Sequence, residues 1–300
     1  MNKFPSLKQL HYLVTLSETH HFGEAAKRCF VSQSTLSSGI QNLEELLDCH
    51  LVERDTKAKT LVFTSMGEQV VDRARELLAC SRDLVELSRC SGDVMEGPLR
   101  VGCIPTIAPF LLCGLVQQVN ILYPKLNLLL REDTTVNLLE ALQHGEMDVL
   151  ILALPVDIHG MSSKVVGRDG FKMVISKNQA ASVTMPLHYA DLPDKSVFLL
   201  EKEHCLTEHA VSACKLTSKE KINPFTATSL HTLVQMVANG LGTTFIPEMA
   251  IKHGILENQN LVVIEPPGQD AYREIGLVWR PTSSRTAVFE KLGEIVKGLL

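Results

Sequence analysis

The sequence predicts an N-terminal α-helical domain of the winged helix-turn-helix class, a long linker helix, and a C-terminal α/β domain of two lobes. Three observations carry this. Apolar residues recur at helical spacing through the first ninety positions, interrupted where a helix–turn–helix needs a turn. A strand–turn–strand stretch with a basic tip follows the second helix of that motif. From Leu99 onward short apolar strands alternate with helices, the sign of a parallel sheet covered by helices. The expected boundaries are 1-64 for the winged helix-turn-helix domain, 65-92 for the linker helix and 93-300 for the α/β domain. Within the last, lobe I covers about 93-162 and 269-300, and lobe II about 163-268.

The first apolar stripe is Leu7, Leu10, Leu13, Val14 and Leu16, opened by Pro5-Ser6. A break at Thr19-His20-His21-Phe22-Gly23 precedes a short helix, Glu24 to Phe30. There Ala25-Ala26 permits a close helix crossing. Ser32 then caps a helix from Gln33 to about Leu47, with Leu36, Ile40, Leu43, Leu46 and Leu47 turned inward. Its first turns carry Ser32, Gln33, Ser34, Thr35 and Ser38, short donors and acceptors suited to base edges and phosphates. Leu51 to Arg54 and Leu61 to Thr64 form the wing, with Arg54, Lys57 and Lys59 beside a nucleic-acid backbone. Residues 1–64 hold seven Lys/Arg and seven Asp/Glu, so this head is neutral and useful affinity requires several copies. The helix of residues 65 to about 90 has a broad apolar face including Val70, Val71, Ala74, Leu77, Leu78 and Leu84. Its place between two domains suits a dimer-forming linker.

In the remaining two thirds, strands at Leu99–Ile104, Leu126–Leu130 and Val149–Ala153 alternate with helices ending near Leu122 and His144. The chain is expected to leave this sheet around Ser162 to Gly167. Strands at Phe171–Ser176, Val197–Leu200 and following Gly240 build a second group. A last strand, Ile275–Arg280, precedes a C-terminal helix. Two such lobes leave a cleft. Thr106, at a strand-to-helix turn, and Thr135, near a helix start, suit an anion or a small polar molecule; simple helix capping by both is the bland alternative.

Bulk properties narrow the class. Hydrophobic content of 45%, 21% charge and a net charge of -5 are ordinary for a globular protein, and argue weakly against non-specific coating of nucleic acid. No run approaches eighteen apolar residues, so no membrane span is expected. The start, Met1 to Lys8, lacks a signal peptide's apolar run; a cytoplasmic location with reduced thiols is the expectation. None of the eight cysteines forms a Cys-x-x-Cys pair, so neither a metal site nor another cofactor is expected. No Walker loop or Ser-His-Asp signature points to an enzyme.

Cys205 and Cys214 stand nine residues apart in a segment that reads as helical. Nine helical residues rise about 13.5 Å, whereas a disulfide needs Cα atoms within roughly 7 Å. If these two cysteines bond, the local helix must be dismantled. Spacing alone does not single them out, since Cys80 and Cys90, and Cys103 and Cys113, are each ten apart.

Ala25-Ala26, Ser32-Gln33-Ser34-Thr35-Leu36-Ser37, Ile40, Leu43-Glu44 and Leu51-Val52-Glu53-Arg54 together resemble the N-terminal signature of LysR-type transcriptional regulators. Asp48 stands where that family usually has glycine and Ser34 where proline is frequent. The two-lobed domain resembles the effector domain of that family and periplasmic binding proteins. Glu201-x-x-His204-Cys205-Leu206, Cys214, Ala227-Thr228-Ser229-Leu230, Met236-Val237-Ala238 and Gly240-x-Gly242 resemble the peroxide-sensing OxyR subgroup, as do Ile104-Pro105-Thr106 and Val278-Trp279-Arg280-Pro281. This resemblance implies a redox switch. Peroxide oxidises Cys205, and Cys214 resolves the product into a disulfide. Thr106, Thr135, His204 and Arg280 form the peroxide pocket, with Arg280 stabilising the thiolate. It also implies promoter DNA, a homodimer or homotetramer, and RNA polymerase as partners, and peroxide-removing enzymes as gene targets. Thr207 occupies a position where the subgroup often has arginine, and Pro224 one where histidine is common. Two rival readings are a LysR regulator binding a small metabolite, with the cysteines incidental, and a thiol peroxidase.

Overall fold

The computed structural model describes residues 4–54, 61–89, 95–158, 160–181, 189, 192–201, 205–213, 219–265 and 271–300; for residues 54, 86–89, 205, 209, 213 and 219 it describes the backbone alone. The chain divides into two compact units, residues 1–92 with the short segments 143–146 and 282–284, and the rest.

The first unit begins with α1 (Leu7–Thr19), opened by a capping box in which the Ser6 hydroxyl accepts from the Gln9 amide and the Gln9 side chain accepts from the Ser6 amide. Helix α2 (Phe22–Arg28) starts two residues earlier than the sequence suggests. Its cap is His21, whose Nδ1 accepts from the Glu24 amide, and histidine lies outside the usual capping set. Helix α3 (Gln33–Leu47) is capped by Ser32, which accepts from the Thr35 amide. Leu13, Leu16, Ala25, Leu36, Ile40 and Leu43 are fully buried between the three helices. Gly39 lets α3 approach α1 closely: a Cβ there would lie 2.7 Å from the Tyr12 ring. The last turn of α3 ends at Asp48 in the left-handed conformation, φ 52°, which explains the glycine preference at this position.

Strands β1 (Val52–Arg54) and β2 (Leu61–Phe63) pair antiparallel as the wing. The Glu44 carboxylate holds its root, accepting from the Leu51 and Val52 amides. Lys57 and Lys59 at the wing tip lie outside the described residues. Helix α4 (Ser65–Arg89) packs Val71 and Ala74 into the same core and leaves Leu77, Leu84 and Val85 exposed.

The second unit is built on one nine-stranded sheet. Its elements are β3 (Gly97–Cys103), α5 (Ala108–Leu122), β4 (Leu126–Glu132), α6 (Thr135–Gln143), β5 (Val149–Leu154), β6 (Ser162–Ser176), α7 (Lys177–Ala180), β7 (Val197–Leu200), α8 (Cys205–Ala213), β8 (Ile222–Ala227), α9 (Leu230–Ala238), β9 (Thr243–Pro247), α10 (Glu248–Lys252), β10 (Leu261–Ile264), β11 (Tyr272–Trp279) and α11 (Thr286–Leu299). The strand order is β4-β3-β5-β11-β6-β9-β7-β8, with β10 also on β6. Strands β3, β4 and β5 are parallel, as expected from their helical crossovers, and β5 is buried along its whole length.

One expectation is corrected here. The chain does not leave the first sheet at Ser162–Gly167; β6 starts there and pairs with β11, Ser162 opposite Trp279. Its second half pairs with β9 and β10. A single strand therefore runs from one lobe's sheet into the other's. The first half is mostly exposed and polar, so no apolar run announces it. Pro224 sits exposed on the edge strand β8, where the pairing with β7 slips, a place that tolerates a missing N–H.

Candidate functional site

Strands β3 and β4 end at the same edge, Cys103 opposite Glu132. The turns beyond them carry Thr106 and Thr135, and ligands commonly bind outside the carboxyl ends of parallel strands. Both threonines are buried. Neither caps a helix in the way the bland alternative requires. At α6 the Thr134 side chain accepts the Asn137 amide, and the Asp133 carboxylate accepts from the Thr134 amide and the Asn137 side chain. Burial works to raise the Asp133 carboxyl, but bonds from Asn137 and Arg131 outweigh it and hold it below its ordinary value. Among the described residues the buried Thr135 hydroxyl has no partner.

Thr106 is taken up by a residue that sequence reasoning missed. Arg273, at the start of β11, is fully buried. Its Nη1 donates to Thr106 Oγ1 at 2.8 Å and its Nη2 to the Thr106 carbonyl at 3.0 Å. Its Nε and Nη2 donate to Asp169 Oδ2 at 3.1 and 2.9 Å. Since Thr106 Oγ1 accepts from Arg273, its own proton is left to be donated. Under this cluster lies Cys103, whose thiol burial pushes well above the ordinary range, against a smaller lowering by the Arg273 charge. The signal for Arg273 is its strand period: it shares the buried face of β11 with Ile275, Leu277 and Trp279, and a guanidinium on an apolar face requires a partner.

Arg280, expected in this pocket, is elsewhere. β11 runs antiparallel to β5, with Glu274 opposite Leu154 and Trp279 opposite Val149. Arg280 therefore lies at the opposite end of the sheet from Thr106, seven residues or about 23 Å of strand beyond Arg273. There it is buried and its Nη1 donates to the carbonyls of Leu142 and Met147, both at 2.7 Å. It ties the end of α6 to the approach to β5.

The cysteine segment reaches the first end of the sheet by topology. β7 runs parallel to β9, Val197 opposite Thr243, and β9 pairs Pro247 with Phe171, next to Gly170 opposite Tyr272. The chain leaving β7 at Leu200 thus emerges on the side where Arg273 and Asp169 meet. Helix α8 then starts at Cys205 and packs against β11 and β7. Thr207 donates to the Leu200 carbonyl at 2.7 Å, binding the first turn of α8 to the end of β7. His204 and Cys214 lie outside the described residues, as does the Cys205 side chain. Among the described residues no cluster of metal-ligating side chains occurs.

In the first unit, Gln33, Ser34, Thr35 and Ser38 are exposed on α3. Ser34, Thr35, Ser38 and Asn42 border a shallow groove with Gln9 and Tyr12 of α1. The Ser32 hydroxyl is also within 2.9 Å of the Ser34 hydroxyl and 2.7 Å of that of Thr35, so cap and polar face form one network. The side chain of Arg54 lies outside the described residues.

Comparison with known proteins gives this arrangement a family. Residues 7–68 match the bacterial regulatory helix-turn-helix protein, lysR family, and residues 92–300 match the LysR substrate binding domain. The chain belongs to the LysR family of transcriptional regulators. This LysR regulator is 34% identical over 297 residues to the DNA-binding transcriptional dual regulator OxyR of Escherichia coli K12, covering 97% of this chain and 95% of that one. It is also 44% identical over 299 residues to the HTH-type transcriptional regulator EstR of Acinetobacter baylyi, covering 99% and 98%. Among solved structures, the reduced regulatory domain of OxyR2 from Vibrio vulnificus is 75% identical, with a TM-score of 0.68 over 70% of this chain and 99% of that domain. Full-length OxyR from Pseudomonas aeruginosa, a Cys-to-Asp variant, aligns over 98% of this chain and 95% of its own at 28% identity and a TM-score of 0.79. The regulator thus joins an N-terminal helix-turn-helix domain to a two-lobed LysR substrate-binding domain, and no described helix is long and apolar enough to cross a membrane.

Proposed function

We propose that this regulator senses hydrogen peroxide through Cys205 and Cys214 and controls genes for peroxide removal. The observation that carries the reading is a buried Thr135 hydroxyl with no partner among the described residues, at the same end of the sheet as a Thr106 hydroxyl that already accepts from Arg273. That arrangement suits a small neutral molecule with two oxygens that both donate and accept. It suits a carboxylate metabolite less well, because four of Arg273's five N–H donors are engaged within the protein, two of them by an acidic partner. The 75% identity to an OxyR2 regulatory domain supports the same reading.

The chemistry balances as follows. The Cys205 thiolate attacks one peroxide oxygen and the O–O bond breaks. Sulfur is oxidised by two electrons to a sulfenic acid, and the departing hydroxide takes a proton to become water. The Cys214 thiolate attacks that sulfur, the S–O bond breaks, and hydroxide leaves and is protonated to water as the disulfide forms. The bond cannot span an intact α8, so oxidation rebuilds the segment and its contacts. A thiol-reducing system resets it.

In this reading the protein acts in the cytoplasm as a transcription regulator and activator of oxidative-stress genes, not as a turnover enzyme. It binds promoter DNA through Ser32, Gln33, Ser34, Thr35, Ser38 and Arg54. Dimers form through the exposed apolar face of α4, dimers pair into a homotetramer, and RNA polymerase is contacted at the promoter. The deciding experiment is free-thiol titration after modest peroxide treatment, with the disulfide mapped by mass spectrometry. Absence of a Cys205–Cys214 bond sinks the redox reading. The alternative is another small-molecule signal with the cysteines incidental; regulation unchanged by Cys205→Ser would establish it.

A further inference from the structure

We propose that Asp169 is a positioning residue of the peroxide site, acting through Arg273. The inference rests on the peroxide-sensing reading above. Asp169 and Arg273 are direct cross-strand partners on β6 and β11, and their side chains are 2% and 0% exposed. The pair sits where β6 passes from one lobe's sheet to the other's, since Phe171, two residues on, already pairs with β9. Both carboxylate oxygens are engaged. Oδ2 accepts from Arg273 Nε and Nη2, and Oδ1 accepts from the Met249 amide at 2.8 Å, in the first turn of α10.

Three N–H donors thus converge on the two oxygens of one carboxylate. The Nε and Nη2 bonds fix the plane of the guanidinium. With that plane set, Nη1 meets Thr106 Oγ1, so the threonine hydroxyl accepts there and keeps its own proton to donate. Asp169 also neutralises the Arg273 charge, so the buried pair selects against anions while leaving a directed donor. Other charges nearby are partly exposed: Glu248 beside Gly170, and the Arg168–Glu274 pair with Arg168 over the Tyr272 ring.

An asparagine at 169 keeps the shape but has one acceptor oxygen. Its NH2 group must face either the Met249 amide or the guanidinium, donor against donor. The test compares the full-length protein with Asp169→Asn, Arg273→Met and the double variant. The rate of Cys205–Cys214 formation under excess peroxide is read alongside unfolding stability. Asp169→Asn is expected to slow oxidation about tenfold or more, and to change the rate less than about twofold in the Arg273→Met background, because its action runs through the arginine. A crystal structure of Asp169→Asn is expected to show Nη1 withdrawn from Thr106. An oxidation rate equal to the unaltered protein's, an equal slowing in both backgrounds, or an unmoved guanidinium overturns the proposal. Should Asp169→Asn fail to fold, Asp169→Glu keeps the charge but displaces the guanidinium by a methylene, and the same rate and structure are read. If the unaltered protein forms no disulfide, the sensing reading fails, and the guanidinium position alone decides whether Asp169 sets it.

Discussion

Replacing Thr135 by valine should stabilise the second unit while damaging its site. The Thr135 hydroxyl is buried and has no partner among the described residues. A buried polar group left unbonded costs roughly 1–3 kcal/mol. Valine has nearly the same shape and the same β-branch, so backbone preference and packing barely change. The lower part of that range applies at a position still 7% exposed, which puts the gain at about 1–2 kcal/mol. For a unit of this size that is a rise in Tm of about 2–8 °C. Thr106→Val should do the opposite, since Arg273 Nη1 then loses its acceptor, at a cost of about 1.5–3 kcal/mol for a bond to a charged group. Thermal and denaturant unfolding of the two variants would be compared, along with the rate of Cys205 oxidation by peroxide. Both variants should oxidise more slowly, whereas their stabilities should move in opposite directions. A loss of 1 kcal/mol or more in Thr135→Val would refute the reasoning, because the hydroxyl would then have been making a favourable bond.

Arg280→Met leaves the buried carbonyls of Leu142 and Met147 without this donor; denaturant unfolding should show a loss of about 2–4 kcal/mol, with a peroxide oxidation rate in native buffer within twofold of the unaltered protein's. Asp48→Gly relieves a left-handed residue at the end of α3 and should stabilise the first unit by about 0.5–1 kcal/mol, measured by thermal unfolding with DNA affinity unchanged. The Cys103 thiol, held above its ordinary value chiefly by burial, should resist alkylation in the native protein. Its neutral form in the fold is a stabilising contribution fully present below the unfolded thiol's value near 9.0 and lost as pH rises beyond it. Replacing Cys103 by alanine should therefore flatten the alkaline fall in stability.

Much of the first unit was written in local pattern. The Ser32 cap, the inward Leu36, Ile40 and Leu43, and the wing strands are all short-range consequences of side-chain chemistry at neighbouring positions. The same holds for β3, β4 and β5, whose apolar runs and intervening helices leave little choice but a parallel arrangement. The first half of β6 was hidden because what holds it is hydrogen bonding to β11, more than a hundred residues away, and its exposed side chains carry no period. The start of α2 was hidden because a histidine caps it.

By itself the sequence determined which residue types were available for the site: two threonines after strand ends, a cysteine pair in conflict with its own helix, and two arginines near the last strand. Only the tertiary structure decided between the arginines. Antiparallel pairing of β11 with β5 and β6 carries Arg273 to the edge where β3 and β4 end and Arg280 to the other. The physical reason is that a strand's direction in a sheet is set by partners distant in sequence. Arg273 and Arg280 stand at the two ends of one strand, and which of them meets Thr106 depends on the direction of its pairing.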